Sequence, residues 1–422
     1  MFMTINRIIS DKWQQMTVAV IAIVVFCFWY FLFPFVPVVR EMSQLFLWTG
    51  DYMMERLVIP GGLAQYLGEM VSQFFLNPFN AALSYSILFV ITQRLTYKLF
   101  LLFFPSVKTV YCFLFSLLPP VALWGIALLP HIPLTLTMAL VMVMGVGCWI
   151  MAFSSQLSRQ SRLGILCLTL PVMYWLTGPV AVLLVLCCVR WIPVTVTLYA
   201  VCVIGSSYLT PYPLEQVAKG IDYDWSGMKQ MGTFEEMECD ILLRKRDWHQ
   251  IMMRFHHPES PAVRSAVLLA AYQTGQMDQK EFLKSIIVPR YMYGEQSTVF
   301  NIGPSFIIVN YGSLSSAFMV SDIAYQLYWP NISQRLSFDA MEYIPNYNKS
   351  GRAIRRLVET CIITRQYELA KKYLDILEKT IFYHKWAKSM RPLTDNPQLI
   401  TNYPFMKKAQ ECYDNTEDVF FF

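Results

Sequence analysis

The sequence predicts an all-α protein, a polytopic helical membrane domain of six or seven spans followed by a soluble, repeat-like helical domain. Three observations carry this. Apolar residues make up 55% of the 422 positions and the mean hydropathy is +0.39, more than an ordinary soluble chain carries. Charge is segregated: residues 1–208 hold ten Lys/Arg and five Asp/Glu, which leaves 24 of each for residues 209–422 from totals of 34 and 29. In the second half, apolar residues recur at i, i+3, i+4 and i+7, the pattern of one buried helix face. The expected division is therefore 1–208 for the membrane domain and 209–422 for the soluble one.

The first apolar run, Met16 to Val39, carries no charge and exceeds the roughly 20 residues that cross a bilayer. It ends in bulky Phe, Pro and Val residues rather than a small-residue cleavage site, so it is expected to be a retained span. Further spans are expected near 78–93, 109–129, 134–153 and 191–208, kinked at Pro119, Pro120 and Pro193. The stretch 163–189 is one very long span or two short ones meeting at Thr177-Gly178-Pro179. Arg7, Lys12, Arg94, Lys98, Lys108, Arg159 and Arg162 place their loops in the cytoplasm. The loop after the first span then lies outside. Two short spans put Arg190 inside and the soluble half outside, whereas one long span does the reverse. The first alternative obeys the charge rule, and it predicts a multi-pass bacterial inner (plasma) membrane protein with a periplasmic C-terminal domain.

That outer loop, 40–77, holds four of the five acids of the first half. On a helical projection Glu41, Gln44, Asp51 and Glu55 share one face, opposite Met42, Leu45, Phe46, Met53 and Leu57. After Pro60-Gly61-Gly62 a second helix is expected, with Gln65, Glu69 and Gln73 opposite Leu63, Tyr66, Leu67, Met70, Val71 and Phe74. Two such helices are expected to lie flat in the outer interface, acids towards water or a cavity and apolar faces in lipid.

One span, an outer loop of two interfacial helices with a carboxylate at its start, and then a series of spans resembles a reduced membrane module of the GT-C class of glycosyltransferases. The resemblance implies transfer of a sugar from a polyprenyl-phosphate donor. It assigns the catalytic carboxylate to Glu41, or to Asp51, and contact with the lipid phosphate to Arg40, Arg56 and Arg190. His131, in "LPHIP", faces the same side and could share a site with Glu41. Solvated acids on an interfacial helix are the plainer alternative. The chain as a whole also resembles an uncharacterised family of polytopic bacterial envelope proteins with a helical C-terminal domain.

In the soluble half, Trp248, Ile251, Met252 and Phe255 mark one helix, and Val263, Ala266, Val267 and Ala270 mark another behind a Ser260 cap and Pro261. Val320, Ile323, Ala324 and Leu327 mark a third. In "CIITRQYELAKKYLDILEK" a short "RQY" turn joins two helices, the second carrying Ala370, Tyr373, Leu374 and Leu377. This segment resembles a tetratricopeptide hairpin, with Ala370 at the small position where paired helices approach. Stacked pairs of this kind leave a groove for a protein partner. Tyr291 to Ser313, rich in Gly, Ser and Asn, is expected to be a long ordered loop.

Neutral charge balance in the second half argues against nucleic acid. Seven of the ten cysteines fall in apolar runs, where Cys acts as a small buried hydrophobe, and the other three form neither a disulfide framework nor a CxxC site. His249, His256 and His257 lack a carboxylate at ligand spacing, so no metal is expected. No Walker loop, dinucleotide fingerprint, HExxH or GxSxG occurs, and no cofactor is expected. Two functions remain open: a transferase acting on membrane lipid, or a non-enzymatic scaffold that recruits an envelope protein through its helical domain.

Overall fold

The computed structural model describes residues 2–154, 159–221, 231–278, 281–282, 312–344 and 349–415, and among these it is helical with no strand. The chain forms two compact units. One comprises Met1–Glu41 with Trp48–Ser226, and the other Met42–Leu47 with Gly227–Phe422.

In the first unit, six helical stretches among the described residues are long and apolar enough to cross a bilayer: Lys12–Leu32, Pro78–Phe103, Thr109–Ala127, Thr135–Phe153, Leu163–Cys187 and Ile192–Leu209. Helix α1 (Phe2–Cys27) runs into a π-helical turn, Phe28–Leu32, whose Trp29 is fully buried. The chain then breaks at Phe33 and Pro34, because proline offers no amide N–H to continue the ladder, and α2 (Phe35–Met42) starts afresh.

The continuous helix expected from Glu41 to Leu57 does not form. Residues 44–48 adopt no regular structure, and α3 (Gly50–Leu57) begins only at Thr49, whose hydroxyl accepts the Tyr52 N–H at 3.3 Å. Val38 through Ser43 are all buried, so this stretch has no polar face to leave in water. The amphipathic pattern that favours a surface helix is overridden by burial on every side. The second loop helix, α4 (Gly62–Ser72), forms where expected.

Helix α5 (Pro78–Phe103) is capped by Asn77, whose side chain accepts the Phe79 N–H at 2.9 Å, and it absorbs the stretch Leu95–Phe103. The third span is two helices, α6 (Thr109–Phe115) and α7 (Leu118–Ala127), parted ahead of Pro119 and Pro120. Helix α8 (Thr135–Ser154) is unbroken.

After α9 (Arg159–Thr177) the backbone enters the left-handed region at Gly178 (φ 66°) and continues as a 3-10 helix, Gly178–Trp191. Close approaches at three places establish its direction. The end of α9 lies at the first loop, since Gly61 N–H donates to Trp175 O at 2.8 Å and Trp175 Nε1 to Leu57 O at 2.9 Å. A Cβ on Gly68 would meet Thr135 N at 2.7 Å, so α8 starts at the same level. Twelve residues further along α8, the Cβ position of Gly147 lies 3.5 Å from Cys187 Sγ and 3.9 Å from Leu184. The 3-10 helix therefore runs back antiparallel to α9. Leu166, Leu170 and Tyr174 of α9 pack with Ala181 and Leu184 of the returning segment in one core, and α10 (Ile192–Leu209) closes it through Val203.

The second unit is made of helical hairpins. Its helices are α11 (Phe234–Lys245), α12 (Trp248–Arg254), α13 (Pro261–Gln273), α14 (Leu314–Gln326), α15 (Pro330–Glu342), α16 (Gly351–Ile363), α17 (Tyr367–Leu377), α18 (His384–Met390) and α19 (Pro404–Asp414). One turn recurs after α11, α13, α14 and α16. A residue in the left-handed region follows the helix, namely Arg246, Gly275, Tyr328 and Arg365. The next N–H then reaches back five residues to a carbonyl of the last turn: Asp247 to Leu242 at 3.0 Å, Gln276 to Ala271 at 2.9 Å, Trp329 to Ala324 at 3.0 Å and Gln366 to Cys361 at 2.7 Å. This Schellman closure satisfies the helix end and aims the chain backward.

Ile251, Val263, Ala266, Ala270, Val320, Ile323 and Ala324, all expected to be inward from spacing, share one core, and Ala370, Leu374 and Leu377 are likewise buried. Ser260 stands at the cap position of α13, but its hydroxyl donates to Glu236 at 2.6 Å rather than closing its own helix. The expected loop Tyr291–Ser313 lies outside the described residues except for its last two.

Candidate functional site

The first loop turns its polar side inward. Along α4 and the 3-10 turn Gln73–Leu76 that follows it, Gln65, Glu69 and Gln73 are buried, while Phe74 is exposed and Leu63, Leu67, Met70 and Val71 are half-exposed. At the centre is Glu69, 2% exposed. Its Oε2 accepts from Tyr52 Oη at 2.7 Å and from Arg56 Nε at 3.1 Å, and its Oε1 from Gln65 Nε2 at 3.1 Å. Arg56 also donates to Tyr52 Oη at 2.8 Å and lies over that ring, 4.6 Å from its centroid.

Burial pushes the Glu69 carboxyl up from its ordinary value, with Arg56, Tyr52 and Gln65 opposing it. Burial works against the Arg56 charge, but Glu69 and Tyr52 together outweigh it and raise the guanidinium above its ordinary value. Both carboxylate oxygens are engaged, so Glu69 acts as a clamp between α3 and α4. The pairs Tyr52/Arg56 and Gln65/Glu69 sit at i, i+4, a spacing that could have marked them together.

Arg40 and Glu41 lie in the last turn of α2, 2% and 1% exposed. Arg40 donates to Tyr85 Oη, to Ala127 O at 3.2 Å and to Leu129 O at 2.9 Å. A guanidinium over the last carbonyls of α7 is stabilised by that helix end. Its donors are thus directed into protein. Burial and then Arg40 hold the half-buried His131 imidazole below its ordinary value.

Asp51 differs from these. It is exposed in the first turn of α3, where a carboxylate is favoured by the helix N-terminus. Arg190 lies in the 3-10 helix, and its side chain falls outside the described residues. The sequence also holds the triplet Asp222-Tyr223-Asp224, which lies outside the described residues.

The second unit has its own buried charges. Arg352 on α16 makes a bidentate pair with Asp240 of α11, at 2.6 and 2.7 Å, and reaches Asp322 of α14 at 2.6 Å. Arg356 binds the other Asp322 oxygen at 2.8 Å. Burial alone would raise the Asp322 carboxyl, but Arg352 and Arg356 outweigh it and hold it well below the usual range. Arg352 also donates to Met42 Sδ at 2.7 Å. Nearby in sequence, His256, His257, Arg264, Val267 and Leu268 line a hollow of about 480 Å³. Among the described residues, no group of three His, Cys, Asp or Glu side chains is placed to hold a metal ion.

The spans, the inward-facing polar loop and the hairpin unit define an integral membrane protein of the polytopic α-helical class. Its family follows from sequence: the profile of DUF6057, a family of unknown function, matches residues 11–218 and 191–422, and the chain belongs to it. No curated protein and no solved structure matches the chain.

Proposed function

We propose that this protein is a membrane-embedded scaffold of the cell envelope, holding its helical-hairpin unit outside the cytoplasm to bind a protein partner. The observation that carries the reading is the turn repeated at Arg246, Gly275, Tyr328 and Arg365, which builds hairpin after hairpin. Serial hairpins bury a shared core and present extended surface, as tetratricopeptide-like repeats do. The hollow beside Arg264 belongs to that surface.

The outer placement is supported by chain path. The α9 hairpin makes seven crossings of the six candidate stretches. Met42–Leu47, in the loop after the first crossing, belongs to the same compact unit as Gly227–Phe422. Both then lie on one side, and the basic residues of the other loops mark that side as periplasmic.

A second reading, a GT-C-like transferase using a lipid-linked sugar, is favoured by one observation: Asp51 is an exposed carboxylate on the outer loop, in the same helix as Arg56. Under that reading Asp51 is better placed than the buried Glu41 to meet a substrate, and Arg56 better placed than Arg40 to meet its phosphate. Complementation of a deletion strain separates the two. The scaffold predicts that Arg264→Glu with Val267→Glu fails to complement while Asp51→Asn and Glu41→Gln succeed. The reverse outcome, with all variants present at normal levels in the membrane, establishes the transferase reading instead.

A further inference from the structure

The two helices of the first loop have the reverse of the polarity that water selects. On a helical projection of α4 and the turn after it, the arc facing away from the protein holds Leu63, Tyr66, Leu67, Met70, Val71 and Phe74, all half-exposed or exposed, and no charged residue. The opposite arc carries Gln65, Glu69 and Gln73, which are buried. Helix α3 repeats the arrangement. Tyr52 and Arg56 turn inward to Glu69, whereas Met53, Met54 and, at the C-cap, Val58 are 38%, 62% and 61% exposed. Asp51 and Glu55, one turn apart, lie at the border of that apolar arc.

A surface helix in water puts its polar side chains outward. The opposite arrangement is favoured where the surroundings are less polar than the protein interior, and the contacts of α4 place it at such a level. At its start, Gly61 N–H donates to the carbonyl of Trp175, two residues before the end of α9. In its middle, a Cβ on Gly68 would meet the N of Thr135, the first residue of α8, at 2.7 Å. After its end at Ser72 the chain enters α5 at Pro78. A helix of 11 residues, about 16 Å long, that meets the ends of three spans in turn lies along the membrane plane and level with them. Leu57 of α3 is held to the same level, since its carbonyl accepts Trp175 Nε1 at 2.9 Å. Beyond Phe74 the exposed apolar positions continue into a span, at Phe79, Leu83 and Ile87 of α5.

We infer that the outward arcs of α3 and α4 bind lipid acyl chains, immersed in the leaflet around these span ends, with Asp51 and Glu55 held at headgroup level. The loop is then a lipid-contacting element whose polar residues are spent on internal pairing. The inference holds under either reading of the function.

Nitroxide labels on single cysteines provide the test, in the full chain lacking its native cysteines and reconstituted in phosphatidylcholine vesicles. At Met54→Cys and Val58→Cys, dissolved oxygen is expected to relax the label, and relaxation by a water-soluble nickel chelate to be lost. At Glu55→Cys the nickel chelate is expected to reach the label. Nickel relaxation at positions 54 and 58 equal to that at 55 means that water covers the arc, and overturns the proposal. An immobilised label reached by neither reagent means that a second copy of the chain covers it, and overturns it equally. Should the cysteine-free chain not fold, benzoylphenylalanine at Met54 in the chain with its cysteines intact is expected to give a phospholipid adduct on irradiation. An adduct missing at position 54, or as abundant at Glu55, overturns the proposal.

Discussion

Arg352 shows most directly how single residues hold this molecule. Its partners Asp240 and Asp322 lie 112 and 30 positions away, so no local spacing announces them. Removing one carboxylate leaves buried cationic charge short of a partner, and Asp322→Asn is expected to cost about 3 kcal/mol in chemical denaturation. The pH dependence follows from the depressed Asp322 carboxyl. Its contribution is present above the ordinary aspartate value of 3.8 and is lost as pH falls towards the lower folded value. Wild type should therefore lose more stability than Asp322→Asn between neutral and strongly acid pH. Arg40 presents a second case. Arg40→Lys loses the fork that spans Tyr85 Oη and two carbonyls, and is expected to destabilise by about 2 kcal/mol in thermal melts. If Arg40 instead served only a phosphate, the lysine variant would melt as the wild type does.

Elements pack here by close backbone approach at two glycines. Gly68 on α4 faces the start of α8, where a Cβ would meet Thr135 N at 2.7 Å, so Gly68→Ala is expected to cost about 1–3 kcal/mol, read as a lowered melting temperature. Gly61, at φ 90°, lies beside the Gly178 backbone, where a Cβ on Gly61 would stand 3.5 Å from Gly178 Cα. The amphipathicity of α4 is legible in its sequence, since Gln65, Glu69 and Gln73 recur every four residues. What the spacing does not say is whether that polar stripe meets water or protein. The 3-10 form of Gly178–Trp191 was equally illegible, though Gly178-Pro179 marks the turn before it. Its 14 residues reach about 28 Å at 2.0 Å each, against about 21 Å as an α-helix, and only the longer form approaches the roughly 30 Å hydrocarbon core.

For the whole molecule, the side on which the hairpin unit lies decides which partners it meets. Cysteines introduced at Glu368, 86% exposed, and at Glu55, 70% exposed, are expected to react together with a membrane-impermeant maleimide in intact cells lacking the native cysteines. One at Ser106, exposed in the loop before α6, should react only after permeabilisation. Labelling of position 368 with 106 rather than with 55 would rule out seven crossings. The helical class, the existence and approximate limits of the spans and the inward faces of α12, α13, α14 and α17 were determined by sequence alone, because burial in lipid or core imposes a local periodicity. The break after Glu41, the direction of the 3-10 helix, the Glu69 clamp and the Arg352 pairs were decided only by tertiary structure. Each depends on groups far apart in the chain, whose desolvation and pairing have no value until the fold has brought them together.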